Sequence, residues 1–215
     1  MWLDDAPGTV TDLPVFGSVS PMRRVTEGVA FEGKWDAARR DKVRALFDDM
    51  AADWSRRFSE DRDASVIDAL DRGLPPGGKV VELGAGSGLG TARLVEHYDD
   101  VIALDLSMEM LRHQPSLAPK VCADSSVLPF ADDTADLVVL VNMLLFPDEV
   151  DRILAPEGHV LWINTNGHET PIHLTPEAVV DALPGEWAAT AARAGTGLWA
   201  VITRVADPST PRRPQ

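Results

Sequence analysis

The stretch VVELGAGSGLGT, residues 80–91, places four glycines within seven positions directly after an apolar run. The segment that follows, GTARLVEHY, has the apolar spacing of a helix. Glycines between a strand and a helix let the backbone turn tightly and allow its amides to touch a ligand. The stretch therefore predicts a strand, a ligand-binding loop and a helix. A plain strand-to-helix turn is the alternative, and it does not explain so many glycines.

Strand and helix patterns alternate along the chain after this loop. The segment ADLVVLVNML at residues 135–144 is almost continuously apolar, as expected for a strand covered on both faces. Near the end of the chain, EWAATAARA and LWAVITRV flank GTG and predict a hairpin. We therefore predict an α/β fold that is Rossmann-like and doubly wound. Its mostly parallel sheet has seven strands, with a C-terminal antiparallel hairpin and a ligand crevice beside the first strand.

The residues before the first strand predict an accessory segment rather than core. The first 35 residues carry many prolines and glycines and indicate an irregular arm. Apolar residues at three- and four-residue spacing predict a helix from Asp36 to Trp54, and residues 64–72 predict a second helix. We divide the chain into N-terminal arm and lid helices (1–74), a core (75–206) and a flexible tail (207–215).

Composition limits the partners of the chain. The formal net charge of -14 and the pI of about 4.6 argue against nucleic acid and anionic membranes, because both need a basic footprint. The single cysteine, Cys122, lies in a short apolar run that predicts a buried thiol, and no Cys/His spacing suggests a metal. Neither a signal peptide nor a transmembrane span is recognisable. We expect a cytoplasmic protein with a small-molecule partner, either monomeric or homodimeric.

The glycine spacing separates two ligand classes. The dinucleotide fingerprint G-x-G-x-x-G fails in both registers, because Leu89 and Thr91 stand where its third glycine would fall. The spacing present is E-x-G-x-G-x-G, beginning at Glu82 and ending at Gly88. This spacing resembles motif I of the class I S-adenosylmethionine-dependent methyltransferases. An acid beside the loop also suits a cationic methyl donor better than an anionic pyrophosphate.

The resemblance extends in order over about residues 80–164 and includes the segments LPFADDTADLVVLVNMLL and DEVDRILAPEGHVLWIN. It implies that Asp105, after the second strand, holds the ribose hydroxyls of S-adenosylmethionine and that Asp124, after the third, accepts from the adenine amino group. Each aspartate could instead be a helix cap or a solvated strand end. The implied cofactor-binding residues are Glu82, Gly84, Ala85, Gly86, Gly88, Asp105, Leu106, Met108, Asp124, Ser125 and Asn142.

The methyl acceptor is less constrained. The segment KVRALFDDMAADWSRR resembles the region before motif I in ubiquinone and menaquinone methyltransferases. Trp35 and Trp54 could form an apolar lid over a small aromatic acceptor, or could only dock the arm on the core. His168 and His173, after the fifth strand, are candidate general bases, with solvated loop histidines as the alternative. The rival functions are an NAD(P)-dependent oxidoreductase and a non-catalytic protein that binds S-adenosylmethionine.

Overall fold

A mixed sheet of seven strands organises the residues that the computed structural model describes, which are 1–10, 20–54, 60–73 and 75–205. The strands are β1 (Lys79–Leu83), β2 (Asp100–Asp105), β3 (Lys120–Cys122), β4 (Ala135–Val141), β5 (Leu154–Asn164), β6 (Trp187–Ala194) and β7 (Gly197–Arg204). Their order is β3-β2-β1-β4-β5-β7-β6. The first five run parallel, and β7 is antiparallel to both of its neighbours. The predicted fold is confirmed, including the C-terminal hairpin.

Helices cover both faces of this sheet. They are α1 (Pro21–Glu32), α2 (Ala37–Trp54), α3 (Glu60–Asp68), α4 (Leu89–Leu94), α5 (Met108–His113), α6 (Pro147–Ile153) and α7 (Pro176–Ala182). A π-helical turn, Ala69–Gly73, extends α3. Alternate β4 residues enter two separate cores, with Val138 packing on the α6 and α7 side and Val139 on the α3 and α4 side. Burial on both faces explains why β4 is a continuous apolar run.

The irregular arm predicted for the first 35 residues is wrong over α1. Ser20 caps this helix by accepting from the Met22 amide at 3.2 Å, and Pro21 stands in its first turn. The helix ends at Gly33, whose φ of 60° is left-handed. These start and stop signals are present in the sequence, but the surrounding prolines and glycines obscure them.

Side-chain contacts anchor α1 over the carboxyl edge of the sheet. The Arg23 guanidinium donates to the carbonyl oxygens of His168, Thr170 and His173, at 2.6, 3.3 and 3.2 Å. These three carbonyls belong to the loop between β5 and α7. The first lid helix is therefore tied to the loop that follows the fifth strand.

Three further expectations differ from the structure. The segment DEVDRILAPEG predicts a helix ended by Pro156 and Gly158, but α6 ends at Ile153 and β5 begins at the next residue, with a register shift in its pairing with β4. The helix predicted at 64–72 is α3 followed by the π turn. Cys122 is exposed rather than buried, because β3 is a three-residue strand at the sheet edge.

The other edge of the sheet is covered by the N-terminus. Trp2 bridges Ala191 of β6 in parallel, and the Leu3 amide donates to the Ala191 carbonyl at 2.8 Å. An edge strand covered in this way has fewer exposed backbone groups for unwanted pairing. Within the described ranges, the chain contains no helix of the length and apolarity that a membrane crossing requires. The proposed tail, 207–215, falls outside the described residues, and the domain boundaries stay predictions.

Candidate functional site

Asp105 and the glycine loop meet at the carboxyl ends of β1 and β2. The two strands pair in parallel with Leu83 opposite Leu104, so both chains leave the sheet at one edge. The Asp105 carboxylate accepts from the Gly86 amide at 2.8 Å and from the Ser107 amide at 2.7 Å, one on each oxygen. Burial raises the pKa of Asp105, while these amides oppose that rise. The two oxygens together offer about four lone pairs, so the carboxylate can accept from a further donor.

Asp124 lies beside this pair, because β3 places Cys122 opposite Asp105 and the chain then continues past the strand end. Its carboxylate accepts from the Ser126 amide at 2.9 Å. The Trp35 indole N–H also donates to both of its oxygens, at 3.1 Å each. Ser125, predicted as a backbone contributor, is buried next to it. Two acceptor carboxylates thus stand at the ends of adjacent strands.

The glycine loop, which follows β1, exposes backbone without side chains at three positions. Gly84, Gly86 and Gly88 all have positive φ, at 71°, 55° and 87°. Ala85, between them, is buried, and its amide donates to the Leu104 carbonyl at 2.9 Å. The Ser87 hydroxyl is buried and has no hydrogen-bond partner among the described residues. A loop of this kind can cradle a ligand and has a buried polar atom that a ligand could satisfy.

Glu82 lies under the loop rather than beside it. Its side chain is 1% exposed, and Thr91 Oγ1 donates to its carboxylate at 2.5 Å. A Cβ at Gly90 would come within 2.3 Å of Glu82 Oε1, so the fourth glycine makes room for the acid. Burial raises the pKa of Glu82 to about 8, although the Thr91 hydrogen bond opposes that rise. The carboxyl is then largely protonated at neutral pH, which weakens the charge argument for a cationic ligand.

Gln114 is a buried residue of the site that the sequence did not suggest. It caps the end of α5, and its Nε2 donates to Thr91 Oγ1 at 2.6 Å. A Cβ at Gly88 would come within 2.3 Å of Gln114 Cγ. The glutamine therefore supports the loop from below through a chain that runs from Gln114 to Thr91 to Glu82. Its position at the end of the helix after β2 is its only signal in the sequence.

The second lid helix, α2, crosses the same edge. Ser107 Oγ donates to Asp48 Oδ1 at 2.5 Å, which ties α2 to the start of α5. A Cβ at Gly86 would lie 3.5 Å from Trp54 Nε1, so the indole covers the glycine loop. Leu106, expected to cover an adenine ring, is half-buried here, and Met108 is 46% exposed. Trp54, like Trp35, thus lies beside predicted cofactor residues, and the role of both in an acceptor lid stays a prediction.

An apolar cluster fills the space between α1 and the end of β4. It comprises Val25, Val29, Trp35, Met143, Leu144, Phe146 and Ile172. The rings of Trp35 and Phe146 meet edge to face with centroids 5.2 Å apart. A Cβ at Gly84 would lie 2.5 Å from Met143 Sδ, so the cluster adjoins the glycine loop.

Asn142 turns the chain into this cluster. Its φ of 50° is left-handed, a conformation that asparagine tolerates better than most residues. Its side-chain amide exchanges two hydrogen bonds with Thr165, at 2.8 and 2.9 Å. These bonds join the ends of β4 and β5. Asn142 therefore has a structural use, and its predicted contact with the cofactor stays a prediction.

His168 and His173 lie in a different place on the same edge. Both line a cavity of about 350 Å³ whose other walls include Trp2, Glu177 and Arg193. His173 is 4% exposed, and its Nδ1 is 2.7 Å from Asn164 Oδ1. Burial, assisted by Arg23, lowers the pKa of His173 to about 4. In the described parts of the chain, no hydrogen bond joins either histidine to a predicted cofactor residue.

The sequence of this chain is similar to those of known methyltransferases. Residues 81–162 match a sequence family described as a methyltransferase domain. A demethylmenaquinone methyltransferase from Corynebacterium urealyticum is 44% identical over 95 residues, which is 40% of each chain. A malonyl-(acyl-carrier protein) O-methyltransferase from Halorhodospira halophila is 36% identical over 107 residues, covering 43% of this chain and 36% of that one. The chain thus spans well under two thirds of either relative.

The fold is similar to that of DhpI in a complex with SAH. The superposition has a TM-score of 0.62 at 23% identity, and it covers 77% of this chain and 96% of the other. At that identity the likeness concerns the fold. The sequence match spans β1 through most of β5, and these strands carry the glycine loop and both carboxylates.

Proposed function

We propose that this chain is a class I S-adenosylmethionine-dependent methyltransferase, which transfers a methyl group from S-adenosylmethionine to a small apolar or aromatic acceptor. The match of residues 81–162 to a methyltransferase domain supports this proposal. When bound, the cofactor would supply a methyl group on a sulfonium: the acceptor's nucleophilic atom would bond to the methyl carbon as its bond to sulfur breaks, and S-adenosylhomocysteine would leave. The observation that carries the proposal is the hydrogen bond from the Gly86 amide to Asp105 at 2.8 Å. This hydrogen bond places the glycine loop and an acceptor carboxylate in one site. S-adenosylmethionine needs both, because one end of it would contact the loop backbone and its ribose would need an acceptor.

The residues present fit this cofactor. Asp105 would accept from the ribose hydroxyls, and Asp124 from the exocyclic amino group of adenine. The glycine loop would hold the methionine end, where the unpartnered Ser87 hydroxyl offers a donor and an acceptor. Leu106 and Met108 would contribute apolar contact to the adenine ring. Glu82 would act from beneath, by holding the loop through Thr91.

The apolar cluster is our proposed acceptor site. It adjoins Gly84 through Met143, and α1 closes it from above. The proposed acceptor is apolar or aromatic because the side chains that would surround it are apolar. The similarity to a demethylmenaquinone methyltransferase supports such an acceptor. The malonyl-(acyl-carrier protein) O-methyltransferase, another similar protein, is named for a different acceptor.

The role of His168 or His173 as a general base stays a prediction. A base works best when its pKa lies near the working pH, and burial moves His173 away from that range. The hydrogen bond to Asn164 also favours a structural use, since it links the end of β5 to the start of α7. We therefore propose a transfer in which the chain orients the two reactants and excludes water.

Calorimetry with S-adenosylhomocysteine and with NAD tests the cofactor. We expect micromolar binding of S-adenosylhomocysteine and none of NAD; the reverse result would support the oxidoreductase alternative. A radiolabelled methyl donor added to an apolar extract of cells then tests the transfer. Cofactor binding without any labelled product would favour the non-catalytic alternative.

A further inference from the structure

Trp35 lies where the proposed adenine-binding carboxylate has to be free. Its indole N–H points between the two oxygens of Asp124, at 3.1 Å from each. The Ser126 amide also donates to Oδ1, at 2.9 Å. The indole therefore engages both oxygens, which are the atoms that the amino group of adenine would need.

The chain holds this indole through contacts on both sides. Trp35 stands between α1 and α2, where Gly33 ends α1 and the Trp35 amide donates to the Gly33 carbonyl at 2.8 Å. The ring packs edge to face on Phe146 of the apolar cluster at 5.2 Å. The same side chain thus touches the proposed adenine end and the proposed acceptor end.

We infer that Trp35 gates the adenine end of the site, with its indole N–H and the amino group of the cofactor competing for the Asp124 carboxylate. The inference rests on the proposed function. Binding then exchanges one N–H donor for another, so Asp124 stays partnered when the ligand carries an amino group. A ligand without that donor would displace the indole and leave Asp124 with the Ser126 amide but without a replacement for the indole donor, which is unfavourable. Trp35 therefore favours ligands with the adenine amino group.

The exchange also links the two ends of the site. When the indole leaves Asp124, its edge contact with Phe146 has to change, and Phe146 belongs to the proposed acceptor cluster. Cofactor binding would then reshape the acceptor site. In this coupling, the binding of the cofactor moves Trp35 before the acceptor enters.

The test is the affinity for S-adenosylhomocysteine of Trp35→Phe, which keeps an aromatic ring but lacks the N–H. Removing the competitor should tighten binding by about three- to tenfold, the scale of one net hydrogen bond. Trp2→Phe is the matched control, because Trp2 donates to Glu177 at 3.1 Å, far along the chain from this site. Its affinity should stay within about twofold of the wild type.

A double-mutant cycle shows whether the effect runs through Asp124. On an Asp124→Ala background, Trp35→Phe should no longer tighten binding, because the shared acceptor is gone. Unchanged or weaker binding by Trp35→Phe on the native background overturns the gate, as does an equal gain on the Asp124→Ala background. If the folded wild type binds no S-adenosylhomocysteine at all, the proposed function fails instead.

Discussion

Two polar regions share the carboxyl edge of the sheet, and they use their polar atoms differently. Around the glycine loop, Asp105 accepts from backbone amides, and Asp124 accepts from the Ser126 amide and from the Trp35 indole. In the cavity lined by His168 and His173, His173 forms a hydrogen bond with Asn164 Oδ1. The same oxygen accepts from Trp162 Nε1 at 3.2 Å. The first region is arranged to receive a ligand. The second stabilises the connection from β5 to α7.

The difference follows from what lies beneath each region. The loop rests on buried side chains, since Gln114 supports Gly88 and Glu82 fills the space left by Gly90. Its backbone is therefore held in place from below, and Trp54 covers it at Gly86. The histidine loop instead has its carbonyls covered by Arg23 of α1. Polar residues at the same sheet edge thus differ in function because their supports differ.

Gly88→Ala should have the largest effect on stability, because the added methyl group would collide with Gln114, which supports the loop. A side chain there meets both a φ of 87° and Gln114 Cγ at 2.3 Å. We expect a loss of about 2–4 kcal/mol in the free energy of unfolding, from left-handed strain and overpacking together. Urea denaturation measures it. Gly185→Ala is the control, because its φ is 91° but nothing lies within 4 Å of an added Cβ. Equal losses in the two variants would refute the support by Gln114.

Asp105→Ala tests whether the region around the glycine loop binds the cofactor. We expect S-adenosylhomocysteine affinity to weaken by about 1–3 kcal/mol, the scale of a hydrogen bond to a charged group. Calorimetry on the folded variant gives the value. Asp100→Asn, at the exposed start of the same strand, should bind as the wild type does. An unchanged affinity in Asp105→Ala would remove this residue from the cofactor site.

His173→Ala tests whether the cavity is structural. We expect the free energy of unfolding to fall by about 1–2 kcal/mol, since a buried hydrogen bond to Asn164 is lost. Affinity for S-adenosylhomocysteine should not change. His168→Ala is the paired control, because this side chain is largely exposed and should alter stability by less than about 0.5 kcal/mol. Loss of methyl transfer in a folded His173→Ala protein would restore the general-base hypothesis.

Glu82→Gln refines the account of the buried acid. The raised pKa, about 8 against an ordinary 4.5, means that the folded chain keeps a proton that the unfolded chain loses. Stability contributed by this group therefore falls as the pH rises from about 4.5 to about 8. Glutamine has no such dependence, so its stability relative to the wild type should rise by about 1 kcal/mol between pH 6 and pH 7. Denaturation midpoints at the two pH values measure this.

The exposed Glu157→Gln serves as the reference for that experiment. Its stability difference from the wild type should be the same at both pH values. A Glu82→Gln protein that behaves in the same way would show that the acid is ionised in the fold. The carboxylate would then again be a candidate for attracting a cationic cofactor.

Much of the fold was predictable because its signals are local. The apolar run of β4 and the alternation of elements depend on nearest neighbours along the chain, and both were read correctly. Asp105 and Asp124 were placed at strand ends for the same reason. Helix α1 was missed although its cap residues are present, because Pro and Gly near a helix resemble those of an irregular segment.

The sequence by itself determined the parallel sheet and its crevice beside β1, since periodicity and the order of elements suffice for these. The acids at the strand ends followed from the resemblance to the methyltransferases. The tertiary structure alone decided which side chains face which. Trp35 and Asp124 are 89 positions apart, and Arg23 is 150 from His173. No local pattern records such contacts, because they depend on how the lid helices cross strand ends far away in the chain. The same holds for Glu82, whose neighbours Thr91 and Gly90 show that it faces the protein interior.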